Sequence, residues 1–257
     1  MTTTIDSEFL TQYQAKKDLL KGKNIIVTGA GDGIGRAAAL TYAKYGATVI
    51  LIGRTLSKLE SVYDEIEAAG GAQPAIFPMN FEGATAHDYD ALRDAIENEI
   101  GVLDGILHNA SELGARTPIA NYKVEEWEKI LHVNVTAPFM MTKSLLPLLE
   151  KSQDASIIFT GSSVGLKGKA YWGAYAVSKA AIENLVQVLA DELDGTSNIR
   201  VNSINPGATR TKMRATAYPA EDPSTVTTPE DIMNRYLFLM GKDSQLINGQ
   251  QFDAQPR

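Results

Sequence analysis

Cysteine is absent from the 257-residue chain, and its three histidines are scattered. Without thiolates there is no disulfide framework, thiolate zinc site, CxxC redox pair or cysteine nucleophile. Three dispersed imidazoles do not make a ligand set, so no metal is expected. Long apolar runs are also missing: no stretch approaches the ~20 apolar residues needed to cross a bilayer. The first twenty residues, MTTTIDSEFLTQYQAKKDLL, lack the apolar segment and small-residue cleavage site of a secretory signal, and Asp6 and Glu8 spoil a transit-peptide reading. An excess of positive charge is lacking too. With 24 Lys+Arg against 31 Asp+Glu, the net charge of -7 argues against general affinity for nucleic acid or an anionic membrane, since both need a positive face. The expectation is a cytoplasmic globular protein, 44% hydrophobic, with enough chain to bury its own core.

What is present, from Lys23 onward, is a repeated unit of apolar run, glycine or polar turn, and amphipathic segment. Runs at 24–29, 47–53, 75–79, 103–110, 156–161, 199–207 and 249–253 read as strands. Helical spacing of apolar residues marks 36–46, 56–70, 87–101, 124–152, 172–194 and 229–240. Pro78 places the end of the third strand near an exposed position, and Pro138 and Pro147 should kink or interrupt the long helical segment. Thr228-Pro229-Glu230-Asp231 has the N-cap oxygen, first-turn proline and acids of a helix start. Alternating strands and helices imply a parallel sheet covered on both faces, an α/β doubly wound domain over 23–257. Residues 1–22 read equally as a short docked helix or an arm.

The turn TGAGDGIGR (28–36), with Gly29, Asp32, Gly33, Ile34 and Gly35, lies between the first strand and first helix, where helix N-terminal amides can meet a phosphate. Its glycines follow T-G-x-x-x-G-x-G rather than G-x-G-x-x-G. An acid about 20 residues further on commonly holds adenosine ribose hydroxyls. Here the second strand ends in Gly53-Arg54-Thr55. A guanidinium suits a 2′-phosphate and a carboxylate repels it, so Arg54 favours NADP(H), with NAD(H) left open.

Tyr175 and Lys179 are four apart on a predicted helix and share a face. A tyrosine needs a downward shift of roughly three pKa units, about 4 kcal/mol, to exchange protons near neutrality. One ammonium about 4 Å away at an effective dielectric near 20 supplies an energy of that order. Tyr13 and Lys17 match the same spacing but precede the glycine turn. Tyr175 differs in following a strand whose C-terminal end carries Gly161-Ser162-Ser163, the end that faces the ligand crevice of a parallel sheet.

The ordered set TGAGDGIG, HNAS (108–111), Asn134 in HVNVTAPF, Ser162, YAVSK (175–179) and NPGATRT (205–211) resembles the short-chain dehydrogenase/reductase family, from Lys23 over nearly the whole remaining chain. Within it, the resemblance is to a bacterial subgroup of oxoacyl-acyl-carrier-protein reductases and oxidoreductases of unassigned substrate. The resemblance implies a single Rossmann-like domain with a seven-stranded parallel sheet, assembled as a homodimer or homotetramer. It makes Tyr175 the acid/base. It has Lys179 bind nicotinamide-ribose hydroxyls and lower the Tyr175 pKa, Ser162 steady the substrate oxygen, and Asn134 support a water relay to Lys179. Asn109 and Ala110 match the segment under the cofactor, and Pro206, Gly207 and Thr211 the segment beside the nicotinamide. Ser111 departs from the family's usual glycine, and Asn80 stands where an aspartate often touches adenine. Asp32 stands where some NADP-preferring members have a basic residue.

The reaction expected is NADPH-dependent reduction of a carbonyl, small or carrier-linked and including a 3-oxoacyl thioester, or the reverse oxidation of an alcohol. A non-catalytic dinucleotide sensor on the same fold has no need for Asn134, Ser162, Tyr175 and Lys179 together. A sugar-nucleotide epimerase or dehydratase needs more chain after the sheet than the fifty or so residues following Gly207. The Thr- and Pro-rich stretch 211–231 stands where the family places its substrate lid, with an ordinary surface loop as the alternative. Arg210, Lys212 and Arg214 read either as a site for an anionic substrate or as a solvated charge run, and Tyr171-Trp172 as packing or pocket wall.

Overall fold

In β1 (Asn24–Thr28), Ile25 and Val27 pack into one apolar cluster, Ile26 into another, and all three are fully buried. A strand apolar on both sides needs cover on both faces. The computed structural model, which describes residues 12–255, has that arrangement. The other strands are β2 (Thr48–Gly53), β3 (Ala75–Pro78), β4 (Gly105–His108), β5 (Ala155–Thr160), β6 (Ile199–Asn205) and β7 (Gln251–Asp253). All pairings are parallel, in the order β3-β2-β1-β4-β5-β6-β7. The chain runs outward from β1 to β3, returns to β4 beside β1, and proceeds outward the other way. The fold is therefore a seven-stranded, doubly wound Rossmann-like domain, and a ligand crevice belongs at the β1/β4 reversal.

The helices are α1 (Gly33–Lys44), α2 (Leu56–Ala68), α3 (Ala86–Glu99), α4 (Val124–Leu131), α5 (Ala137–Leu149), α6 (Ser163–Leu166), α7 (Gly173–Leu193), α8 (Lys212–Ala217) and α9 (Met233–Met240). Apolar faces of α1, α2 and α9 form one core layer with Val49 and Leu51, while α3, α5 and α7 form the other with Ile50 and Ile52. The period-two alternation of β2 thus feeds both layers. No helix among the described residues is long and apolar enough to cross a membrane.

Three local outcomes refine the sequence reading. β3 is an edge strand, which is where Pro78 can be tolerated. The segment expected to break at its prolines stays helical from 124 to 149, but widens into a π turn at His132–Thr136. Pro138 cannot donate the i→i+4 bond to the Asn134 carbonyl, so the ladder shifts there, and Asn134 lies in the shifted turn. Residues 12–22 are docked mainly as turns: Leu19 and Leu20 are buried, Leu20 N–H donates to the Tyr45 carbonyl, and the Tyr13 hydroxyl donates to Asp243 at 2.8 Å. Residues 1–11 lie outside the described part.

At the end of the sheet opposite the crevice, Asp154 joins three strands. Lys23 donates to it at 2.8 Å from the start of β1, and Arg200 on β6 pairs with its other oxygen. Burial pushes the Asp154 carboxyl up, but Lys23 and Arg200 outweigh burial and hold it below its ordinary value. A depressed folded pKa adds stability that is present above the unfolded value near 3.9 and is lost as pH falls through the folded value. Asp154→Asn should cost about 3 kcal/mol at neutral pH by leaving two cations partly unpaired. Urea denaturation checks this, and the gap from the parent protein should close as the pH is taken well below 4.

Candidate active site

The crevice begins at the glycine turn. Gly29 and Gly33 have φ of +68° and +54°, a region that glycine enters without strain. A Cβ on Gly35 would collide with the Gly29 carbonyl oxygen and come within 2.7 Å of Asn109 Nδ2, so the turn closes only on a bare α-carbon. Asp32 caps α1, accepting from the Gly33 N–H at 2.9 Å. The Thr28 hydroxyl accepts from the N–H groups of Asn109 (2.9 Å) and Ala110 (3.0 Å), fastening the segment after β4 to the turn after β1.

A single crevice of about 720 Å³ runs from this turn across the sheet end. Gly29, Asp32, Gly33, Ile34, Arg54, Asn80, Asn109, Ala110, Ser162, Tyr175, Lys179, Pro206, Gly207 and Thr211 all line it. Gly35 packs beneath the turn. Asn80 sits exposed on the rim with its oxygen turned to the Glu82 N–H at 3.3 Å. Asn134 is placed behind the wall: Oδ1 accepts from the Glu112 N–H at 2.8 Å, and Nδ2 donates to the Glu112 carbonyl at 2.9 Å and to Ser178 Oγ at 3.0 Å. Its side chain braces the post-β4 loop against α7. Asp32 accepts from both Lys58 (2.6 Å) and Lys212 (2.9 Å), so its charge is offset rather than bare. Those two ammonium groups hold its carboxyl down at about 2.

Ser162 leaves the C-terminal end of β5 with its side chain near enough to Tyr175 to favour the ionised phenol, while Ser163 beside it is exposed. Tyr175 and Lys179, on successive turns of α7, are both buried in the crevice wall. The net balance at Tyr175 is upward. Burial raises the Tyr175 phenol to about 12, against a smaller lowering by Ser162. The Lys179 ammonium lies 5.5 Å from the centre of the Tyr175 ring and donates to the Thr160 carbonyl at 2.7 Å. Burial lowers Lys179 itself to about 8, opposed by Glu183 one turn further along. The site therefore holds a protonated phenol near neutrality, the form that gives a proton.

Several contributors escaped the sequence reading. Lys58, four after Arg54, packs its stem across Gly31 and carries its ammonium to the turn. Gln255 donates to the Pro206 and Ala208 carbonyls, both at 2.8 Å, and holds the segment after β6. Neither residue belongs to a local pattern that points to it. Glu183 is buried with one oxygen where a Cβ on Gly161 would lie, which explains that glycine; its i+4 spacing from Lys179 was the available signal. Trp172 proves to be both packing and pocket wall, in a cluster with Leu113, Tyr175 and Ala217. Arg214 pairs with Glu221 and stacks over Tyr218 at 3.8 Å, closing that side of the crevice.

The residues fit a dinucleotide. The crevice volume lies within the range of cofactor pockets, the glycine cradle bares backbone to a phosphate, and three buried polar atoms of crevice residues, Ser111 Oγ, Thr160 Oγ1 and Trp172 Nε1, have no hydrogen-bond partner among the described residues. The model of the short chain dehydrogenase family matches residues 23–222. This chain belongs to that family of oxidoreductases. It is 52% identical to YciK of Escherichia coli K12, an oxidoreductase of uncharacterised activity, over 95% of this chain and 96% of that one. A short-chain dehydrogenase structure from Pseudomonas syringae superposes with a TM-score of 0.94 at 57% identity, covering 95% of this chain and 99% of that one. Another from Shigella flexneri, complexed with NADP, superposes with a TM-score of 0.91 at 51% identity, covering 94% and 100%.

Gly35→Ala should destabilise the protein by about 1–3 kcal/mol through overpacking of the turn and weaken dinucleotide binding. Urea denaturation and NADPH fluorescence titration check the two effects.

Proposed function

We propose that this chain is an NADP(H)-dependent reductase that converts a carbonyl compound to an alcohol. The observation that carries the reading is the buried Tyr175 phenol, with Ser162 beside it, in the same crevice as the glycine turn at the C-terminal end of a parallel sheet. The NADP complex of the Shigella flexneri relative supports the cofactor, and Arg54 and Lys58 at the rim give a 2′-phosphate two cations to meet. When bound, the reduced nicotinamide supplies hydride to the carbonyl carbon.

The chain's own residues do the rest. Ser162 donates to the carbonyl oxygen and fixes its position. Tyr175, held protonated by burial, passes its phenolic proton to that oxygen as negative charge develops. Lys179, charged below about 8, stands behind Tyr175 and favours the phenolate left by the transfer. Trp172, Leu113 and Tyr218 wall the substrate end and exclude water. A non-catalytic sensor would need a dinucleotide crevice but no buried, protonated phenol with a serine hydroxyl beside it. The substrate remains at the level of class: a small ketone or a 3-oxoacyl thioester meets the same donors.

Tyr175→Phe should lower turnover by about 10²–10⁴-fold, the usual size of a lost general acid, while NADPH affinity changes little. Normal turnover in that variant would overturn the assignment. Reduction by the parent protein should slow as pH rises through about 8, because Lys179 then loses its proton.

A further inference from the structure

The cations lining the crevice, apart from Lys179, already have carboxylate partners. Arg54 pairs with Glu112 at 2.8 Å, Lys58 and Lys212 with Asp32 at 2.6 and 2.9 Å, and Arg214 with Glu221 at 2.5 Å. An anionic cofactor therefore enters by exchanging partners, not by filling a bare positive pocket.

Glu112 differs from the other carboxylates in its origin. Arg54 follows β2 and Glu112 follows β4, with β1 between those strands, so their ion pair spans the sheet end from which the glycine turn departs. The backbone of Glu112 is fixed at both its N–H and its carbonyl by buried Asn134, which is itself tied to Ser178 on α7. The base of this carboxylate cannot drift away without breaking buried hydrogen bonds. The held backbone keeps this carboxylate on the Arg54 side of the crevice mouth, where the two pair at 2.8 Å.

We propose that Glu112 competes with the ribose 2′-phosphate of the cofactor for Arg54, and so sets the margin by which this chain prefers NADP(H) over NAD(H). The proposal rests on the cofactor reading given above. A guanidinium engaged by a carboxylate has fewer donors free for phosphate, and the carboxylate repels the incoming dianion. NAD(H) has no 2′-phosphate and requires no such exchange. Arg54 is 64% exposed and Glu112 33%, so the exchange is a modest one.

The test is equilibrium titration of the full chain with NADPH and with NADH at low salt, by nicotinamide fluorescence, for the parent, Glu112→Gln, Arg54→Leu and the double variant. Glu112→Gln keeps the shape and removes the charge. It should tighten NADPH by roughly two- to fivefold, the range of an exposed ion pair, leave NADH unchanged, and lose its effect when Arg54 is leucine. Unchanged or weakened NADPH binding in Glu112→Gln, with Arg54→Leu still losing NADPH selectively, would overturn the role of Glu112 alone. Equal loss of both cofactors in Arg54→Leu would overturn the 2′-phosphate reading on which it rests.

Discussion

One hydroxyl holds the two halves of this molecule in register at the place where they matter most. β1 and β4 are neighbours whose chains lead to opposite halves of the sheet, and Thr28 at the end of β1 accepts the two N–H groups that begin the loop after β4. The glycine turn, folded so closely that Gly35 has no room for a Cβ, continues directly from Thr28. The loop it captures runs from Asn109 to Glu112, and Asn134 braces the far end of that loop against α7, the helix of Tyr175 and Lys179. Glycine turn, crevice floor and the helix of Tyr175 are thus parts of one hydrogen-bonded frame.

The active centre sets burial against charge, and burial has the upper hand. An exposed tyrosine beside an ammonium would be expected to ionise more easily. Tyr175 does the reverse, because its ring is enclosed and burial disfavours the phenolate. The result suits reduction, in which the phenol must arrive protonated. The crevice rim follows another rule, with cations exposed but paired, so its affinity for an anion depends on how readily Asp32 and Glu112 give up their partners.

Much of the fold was legible because its signals are local. β-branched runs ending in glycine became the central strands, and Pro78 belongs to an edge strand as its missing N–H requires. The order of glycine turn, Ser162, Tyr175 and Lys179 along the chain was enough to place them in one crevice. What was missed depends on distance. The i, i+4 spacing of Tyr175 and Lys179 gives a shared helix face, but not whether the ammonium donates to the phenol or to the Thr160 carbonyl on a distant strand. Asp32 looked unfavourable to a phosphate only until Lys58 and Lys212 arrived from elsewhere in the chain. Pro138 signalled a disturbance, and its form, a π turn carrying Asn134 toward Glu112, depends on the neighbouring loop.

Hydride transfer, as proposed above, separates this protein from one that only binds a dinucleotide. The most direct measurement is NADPH consumption by the purified protein across a panel of carbonyl compounds that includes small ketones and a 3-oxoacyl thioester. The account predicts stoichiometric conversion of at least one of them to its alcohol. Tight NADPH binding with no consumption on any member would contradict it and favour a sensor built on the same fold.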